Sequence, residues 1–227
     1  MCVKTKVIPL LALFVIVAVF LYSQGQVKDT RHNLSVSGPG QYRSLDETEI
    51  CKFCHTPHSA NPRQPLWNHQ LSAVTHYRTY RSATFEAAIT GEAPVTIDGN
   101  SRLCLSCHDG TVALGAILNN KSGAGFKEGL GALPPTARGY IGTDLSGSHP
   151  VSFEISEALI ARNNARDSLL NSLAAMKSDP DVQLDEHNKM QCSSCHDVHS
   201  DKHFASSGIH FWAKPTFNDV CIVCHRL

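Results

Sequence analysis

The pentapeptide Cys-x-x-Cys-His occurs four times in this chain, as Cys51-Lys-Phe-Cys54-His55, Cys104-Leu-Ser-Cys107-His108, Cys192-Ser-Ser-Cys195-His196 and Cys221-Ile-Val-Cys224-His225. Two thiols at that spacing can each add to one vinyl group of a single haem, and the adjacent histidine then lies under the iron as its proximal ligand. One occurrence is compatible with chance. Four occurrences use eight of the nine cysteines and leave only Cys2. The eight are therefore expected to carry four covalently bound haem c groups, with His55, His108, His196 and His225 on the irons. The other chemistries of paired cysteines fit less well. A thioredoxin-like dithiol needs one pair in a βαβ setting, a zinc ribbon needs no histidine at that offset, and a disulfide-stapled chain needs none at all.

Residues 1–25 place this chemistry outside the cytoplasm. Lys4 and Lys6 precede an apolar run from Val7 to Tyr22, and Ser23-Gln24-Gly25 offers small residues for cleavage, the layout of a secretory signal. The run falls short of the roughly 18–20 residues that span a bilayer, and Pro9 interrupts it. Export is expected, with no stable membrane span after signal removal; retention of residues 1–25 as an uncleaved anchor is the alternative. The remaining 202 residues form one tetrahaem domain, 26–227. With 7% aromatic residues, 15 Gly and 11 Pro, this chain is underequipped for a conventional core at its size. The expected fold is mainly irregular, with short α-helices at the motifs, little or no β-sheet, and a stack of four haems supplying the missing apolar surface. Charge is balanced at 20 basic and 20 acidic residues, and no basic stripe recommends a nucleic-acid partner.

The histidine supply decides what the irons can do. Of 13 histidines, nine remain for the faces opposite the proximal ligands: His32, His58, His69, His76, His149, His187, His199, His203 and His210. Beyond Met1, the methionines are Met176 and Met190, the latter two residues ahead of Cys192. Histidine on both faces is the economical arrangement. It leaves no vacancy for oxygen, nitrite or peroxide, so electron transfer without catalysis is expected. His58 and His199 each follow a proximal histidine by three residues, cannot reach the far side of their own haem, and are expected to tie it to a neighbouring haem; a solvated surface histidine is the alternative. His149 precedes Pro150, which holds the backbone extended, and is assigned to the haem of Cys104 and Cys107. His32 stands ahead of every motif and can reach a haem of its own subunit or of another, unless it is simply an unordered terminal residue. His69 is the first reserve. His76, His187, His203 and His210 read as surface or propionate-contacting residues.

Along the chain, a Cys-x-x-Cys-His-x-x-His motif opens each pair and a plain motif closes it, which suggests an internal duplication. The haem pair 1/2 occupies about 26–153, a helical connector about 154–189, and the haem pair 3/4 about 190–227. Apolar residues at helical spacing predict one long helix over Glu154 to Met176, closed by Asp179-Pro180. Thr90–Asn100 and Lys121–Gly147 read as loops. Asn33-Leu-Ser35 and Asn120-Lys-Ser122 match the glycosylation triplet.

The runs His-Asn-Leu-Ser, Cys-Lys-Phe-Cys-His-Thr-Pro-His, Pro-Leu-Trp-Asn, Arg-Leu-Cys-Leu-Ser-Cys-His-Asp-Gly-Thr-Val-Ala, Gly-Ser-His-Pro-Val-Ser-Phe and Cys-Ser-Ser-Cys-His-Asp-Val-His resemble those of the doubled-CXXCH multihaem cytochromes, most of all the extracellular tetrahaem nanowires of the OmcE type. The likeness spans most of the chain after residue 25. It implies four bis-histidine haems in a continuous row, with His32, His58, His149 and His199 as distal ligands. It also implies head-to-tail polymerisation, with one distal histidine supplied by the neighbouring subunit. Three functions follow as expectations: a polymerising extracellular conduit to an external acceptor or to other multihaem cytochromes, a monomeric periplasmic shuttle, or a reductase with one iron left open.

Overall fold

The structure is a computed structural model and describes residues 26–58, 66–83, 85, 95–119, 130–166 and 169–226. The expected export segment, most of the loop residues near 90 and 125, and the Asn120 triplet lie outside the described residues. No helix among the described residues is long and apolar enough to cross a membrane.

Regular structure is sparse. The described residues include six short helices: α1 Gly99–His108, α2 Glu157–Arg166, α3 Leu173–Lys177, α4 Cys192–Cys195, α5 Phe204–Ser207 and α6 Phe217–Cys224. Single 3-10 turns cover Val27–Asp29 and Ile50–Phe53. Two two-residue strands, β1 Phe153–Glu154 and β2 Lys189–Met190, pair antiparallel and pin together the two ends of the connector. Every motif begins on a helical turn: on the Ile50–Phe53 turn, in α1, in α4 and in α6. One turn of helix brings the two thiols, three residues apart, to the same side.

The long helix expected over Glu154 to Met176 is instead two helices, α2 and α3. Two features break it. The Asn164 side chain bonds Leu170 twice, donating from Nδ2 to its carbonyl and accepting at Oδ1 from its N–H, each at 2.9 Å. Ser172 then starts a new helix by accepting from the Ala175 N–H. Both side chains offer the backbone a local alternative to a continued helix.

Most buried apolar residues among the described residues fall into four separate clusters, each touching a motif. Phe53, Leu114, Leu130 and Leu133 pack beside Cys54 and Cys107; Ile97, Leu105 and Leu145 group around α1. Val182, Trp212, Ala213 and Val220 pack beside Cys195, and Ile155, Ile160, Met176 and Met190 beside Cys224. Met176 and Met190 are thus core residues.

The two halves meet at a polar seam between α1 and α4. Gln191 Oε1 accepts from the Ser101 hydroxyl at 2.6 Å and from its N–H at 3.1 Å, and the Cys192 N–H donates to Ser101 Oγ. Ser101, Gln191 and Ser194 are all fully buried, so each bond replaces lost water. Gly99 makes the approach possible: its φ is +50°, and a Cβ there would stand 2.7 Å from Gln191 Nε2.

The duplication is visible in the backbone. His55 bridges Trp67, and His196 bridges Trp212. Thr56 N–H donates to the Leu66 carbonyl and Asn68 N–H to the Cys54 carbonyl; in the second half, Asp197 N–H donates to Phe211 and Ala213 N–H to Cys195. The residue before each tryptophan is left-handed, Leu66 at φ 66° and Phe211 at φ 59°. Two matching sets of bonds around two matching outliers mark one unit used twice.

Candidate functional site

Two imidazoles bound to opposite faces of one iron, with metal–nitrogen bonds of about 2 Å and about 1 Å from nitrogen to ring centre, have ring centres about 6 Å apart at any twist between the rings. Among the described residues, three histidine pairs have that separation. His32 and His108 are 5.8 Å apart with planes at 50°. His55 and His199 are 6.0 Å apart and 19° from parallel. His149 and His225 are 6.3 Å apart at 77°. Each pair joins a motif histidine to one of the four expected distal residues.

Local bonds fix which ring nitrogen stays free. His108 Nδ1 lies 2.6 Å from the Gly139 carbonyl, His196 Nδ1 3.1 Å from the His210 carbonyl, and His149 Nδ1 2.9 Å from the Pro150 carbonyl. A carbonyl only accepts, so Nδ1 carries the proton and Nε2 keeps its lone pair, as a metal-ligating histidine requires. Gly139 eases this approach, because a Cβ there would stand 3.3 Å from the His108 ring.

Burial keeps several of these rings neutral. His32 is pushed down to about 4 by desolvation, helped by His108 and His210 nearby. His196 is lowered by burial against the opposing pull of the His210 carbonyl, and His225 by burial and then by His149. Burial pushes the thiols the other way: Cys54 and Cys224 up to about 11, Cys107 and Cys195 up to about 12. The Cys104 and Cys192 thiols influence each other across the seam, drawing Cys192 down to about 7 and raising Cys104. The motifs of the two halves are therefore adjacent there.

The residues fit a haem at two further points. A small apolar cleft has His149 and Cys192 in its wall together with Ile97, Leu105, Leu145 and Val151. The indole N–H of Trp67, buried against His55, has no acceptor among the described residues, and a haem carboxylate would supply one. Among the described residues no three His, Cys, Asp or Glu side chains gather to hold a bare metal ion. Pairs suffice where a macrocycle provides the remaining nitrogens.

No known family model matches the chain, and no curated protein matches it in sequence.

The sequence expectations fare unevenly at the level of pairing. His149, assigned to the haem of Cys104 and Cys107, instead faces His225 of the fourth motif, and His32 takes the place opposite His108. His32 is no loose terminus: Asn33 beside it is fully buried, donating from Nδ2 to the Lys28 carbonyl and Ser37 Oγ. The same burial removes the Asn33 triplet as a glycan acceptor. The reserve ligand His69 is buried, with its ring nitrogens 2.9 and 3.0 Å from the Gln70 and Ala113 carbonyls. His210 stacks on Phe204 and bonds Asp201. His58 is exposed. The ring beside His196 is Trp212, 5.2 Å away.

Sequence reasoning missed Trp67, Trp212, Leu66 and Phe211 as parts of the site. Their signal was present: each half carries an apolar–Trp dipeptide downstream of its Cys-x-x-Cys-His-x-x-His motif.

Proposed function

We propose that this chain is an exported tetrahaem c-type cytochrome, a doubled-CXXCH relative of the OmcE-type nanowires, whose copies join head to tail into an extracellular electron conduit. The three histidine pairs about 6 Å apart carry this reading. When bound, the haems would supply reversible one-electron iron chemistry. The chain's own part is to hold, orient and enclose them. Cys51 and Cys54, Cys104 and Cys107, Cys192 and Cys195, and Cys221 and Cys224 would anchor the four groups. His55, His108, His196 and His225 would sit on one face, with His199, His32 and His149 opposite the first, second and fourth. With both faces closed, no iron is left for a substrate, so the role is transfer and not catalysis.

The repeat supports assignment of the last ligand. The second half reaches back with His199 to His55 of the first. The equivalent residue of the first half is His58, and its equivalent target is His196. Three pairs meet within one chain; among the described residues His58 and His196 do not pair. A unit that reaches only backwards leaves one donor at one end and one acceptor at the other, a heterologous arrangement that continues from copy to copy. His58 of one copy on His196 of the next completes the set.

Intact mass and electron paramagnetic resonance of the exported holoprotein test this. Four haem masses above the chain and no high-spin iron in the assembled material are expected. A monomer with four closed irons would leave the periplasmic shuttle instead, and an iron open in the assembly would return the reductase alternative.

A further inference from the structure

We infer that the residue before each tryptophan caps the distal histidine of the adjoining unit: Phe211 covers His32 within the chain, and Leu66 covers His149 of a second copy. This rests on the ligand assignment proposed above.

Phe211 is 7% exposed, and its ring centre stands 4.6 Å from that of His32 with the planes 35° apart. Its left-handed backbone is an outlier for a bulky residue, and such conformations persist only where the surroundings impose them. Here Asp201 Oδ1 accepts from the Phe211 N–H at 2.7 Å, and the Phe211 carbonyl accepts from the Asp197 N–H at 2.8 Å. Asp201 Oδ2 also holds His210, which stacks on Phe204 at 3.8 Å. The side chain is thereby aimed at His32, where it shuts out water and limits rotation of the ring. Groups that orient a ligand in this way tune the metal without touching it.

Leu66 has the same backbone, with φ 66° and its carbonyl accepting from Thr56 N–H at 2.9 Å, yet it is 55% exposed. Beside the α1–α4 seam, the second half seats on the first through His199 on His55 and Phe211 on His32. The matching parts of the first half, His58 and Leu66, are both exposed, and so is His149, the repeat counterpart of His32. The occupant that fits Leu66 is therefore the His149 surface of another copy, reached by the motion that carries one half onto the other.

Two substitutions in the holoprotein test the two caps. Phe211→Gly removes the ring and the strain together and is expected to shift one of the four low-spin resonance signals, leaving three unchanged, while Phe211→Tyr restores it. An unaltered spectrum in Phe211→Gly overturns the cap on His32. Leu66→Asp is expected to shorten filaments seen by electron microscopy about tenfold or more, as loss of a central apolar anchor does, with His32 signals unchanged. Full-length filaments in Leu66→Asp overturn the second cap. His58→Ala separates this from the underlying assignment: if that variant keeps both filaments and four low-spin irons, the exchanged ligand itself is wrong.

Discussion

His199 stands 6.0 Å from His55, ring centre to ring centre and 19° from parallel, although they lie 144 positions apart in the chain. The contact is reached because His199 extends from the turn that follows the third motif, with its N–H bonded to Asp197 Oδ1. His199→Ala should therefore convert one haem of four from low to high spin, read by visible absorption and paramagnetic resonance. His69→Ala is the matched control, and should leave the count of low-spin irons at four.

The seam between α1 and α4 makes a prediction about stability. Gln191→Ala leaves the buried Ser101 hydroxyl and N–H without their acceptor. An unsatisfied buried group costs about 1–3 kcal/mol, which for a chain of this size corresponds to a fall in Tm of roughly 2–12 °C. Calorimetry of the holoprotein should register that loss with the four haems still attached. No change in Tm would mean that the seam does not hold the halves together.

Acid lability should draw on depressed carboxylates of both halves, Asp109 in the first and Asp179 and Asp185 in the second. Burial pushes Asp179 up, but the Lys214 ammonium and the amides of Val182 and Asp181 outweigh it and leave it below its ordinary value. Asp185 is likewise lowered, burial being outweighed by the Lys189 N–H, Gln191 Nε2 and the His187 N–H. A carboxyl depressed in the folded state stabilises it at pH above the unfolded value, and that contribution is lost as pH falls through the folded value. Stability measured by thermal melts should thus decline as the pH drops below about 4, and Asp179→Asn should flatten the decline. An equally steep decline in that variant would place the acid sensitivity elsewhere.

Asn33 should carry no glycan even in a host that glycosylates the triplet, because its amide is fully buried and bonded at both ends. Peptide mass mapping checks this. Asn33→Ala should also loosen His32, lowering Tm and broadening one low-spin signal.

Much of the arrangement was legible in the residues. The motifs dictate short helical turns, since two thiols must share a side, and scarcity of aromatics with many Gly and Pro dictates irregular chain between them. On the proposed reading, spacing alone turns His199 and His58 away from the haems of their own motifs. His149 shows where local reasoning ends. Pro150 fixes its backbone but not its destination, and the strand pair of Phe153–Glu154 with Lys189–Met190 carries it to His225 and not to His108. The break between α2 and α3 depends on Asn164 turning its side chain onto Leu170, a choice that hydrophobic periodicity does not encode. The left-handed Leu66 and Phe211 are equally silent in sequence, because nothing in Leu or Phe announces a positive φ.

Electron cryomicroscopy of the exported holoprotein tests the central assignment most directly. The expected image is a filament in which four irons per subunit each lie between two histidines, with His58 of one copy opposite His196 of the next. Discrete monomers in which His196 faces a histidine of its own chain, or irons without the His32, His149 and His199 partners, would contradict it.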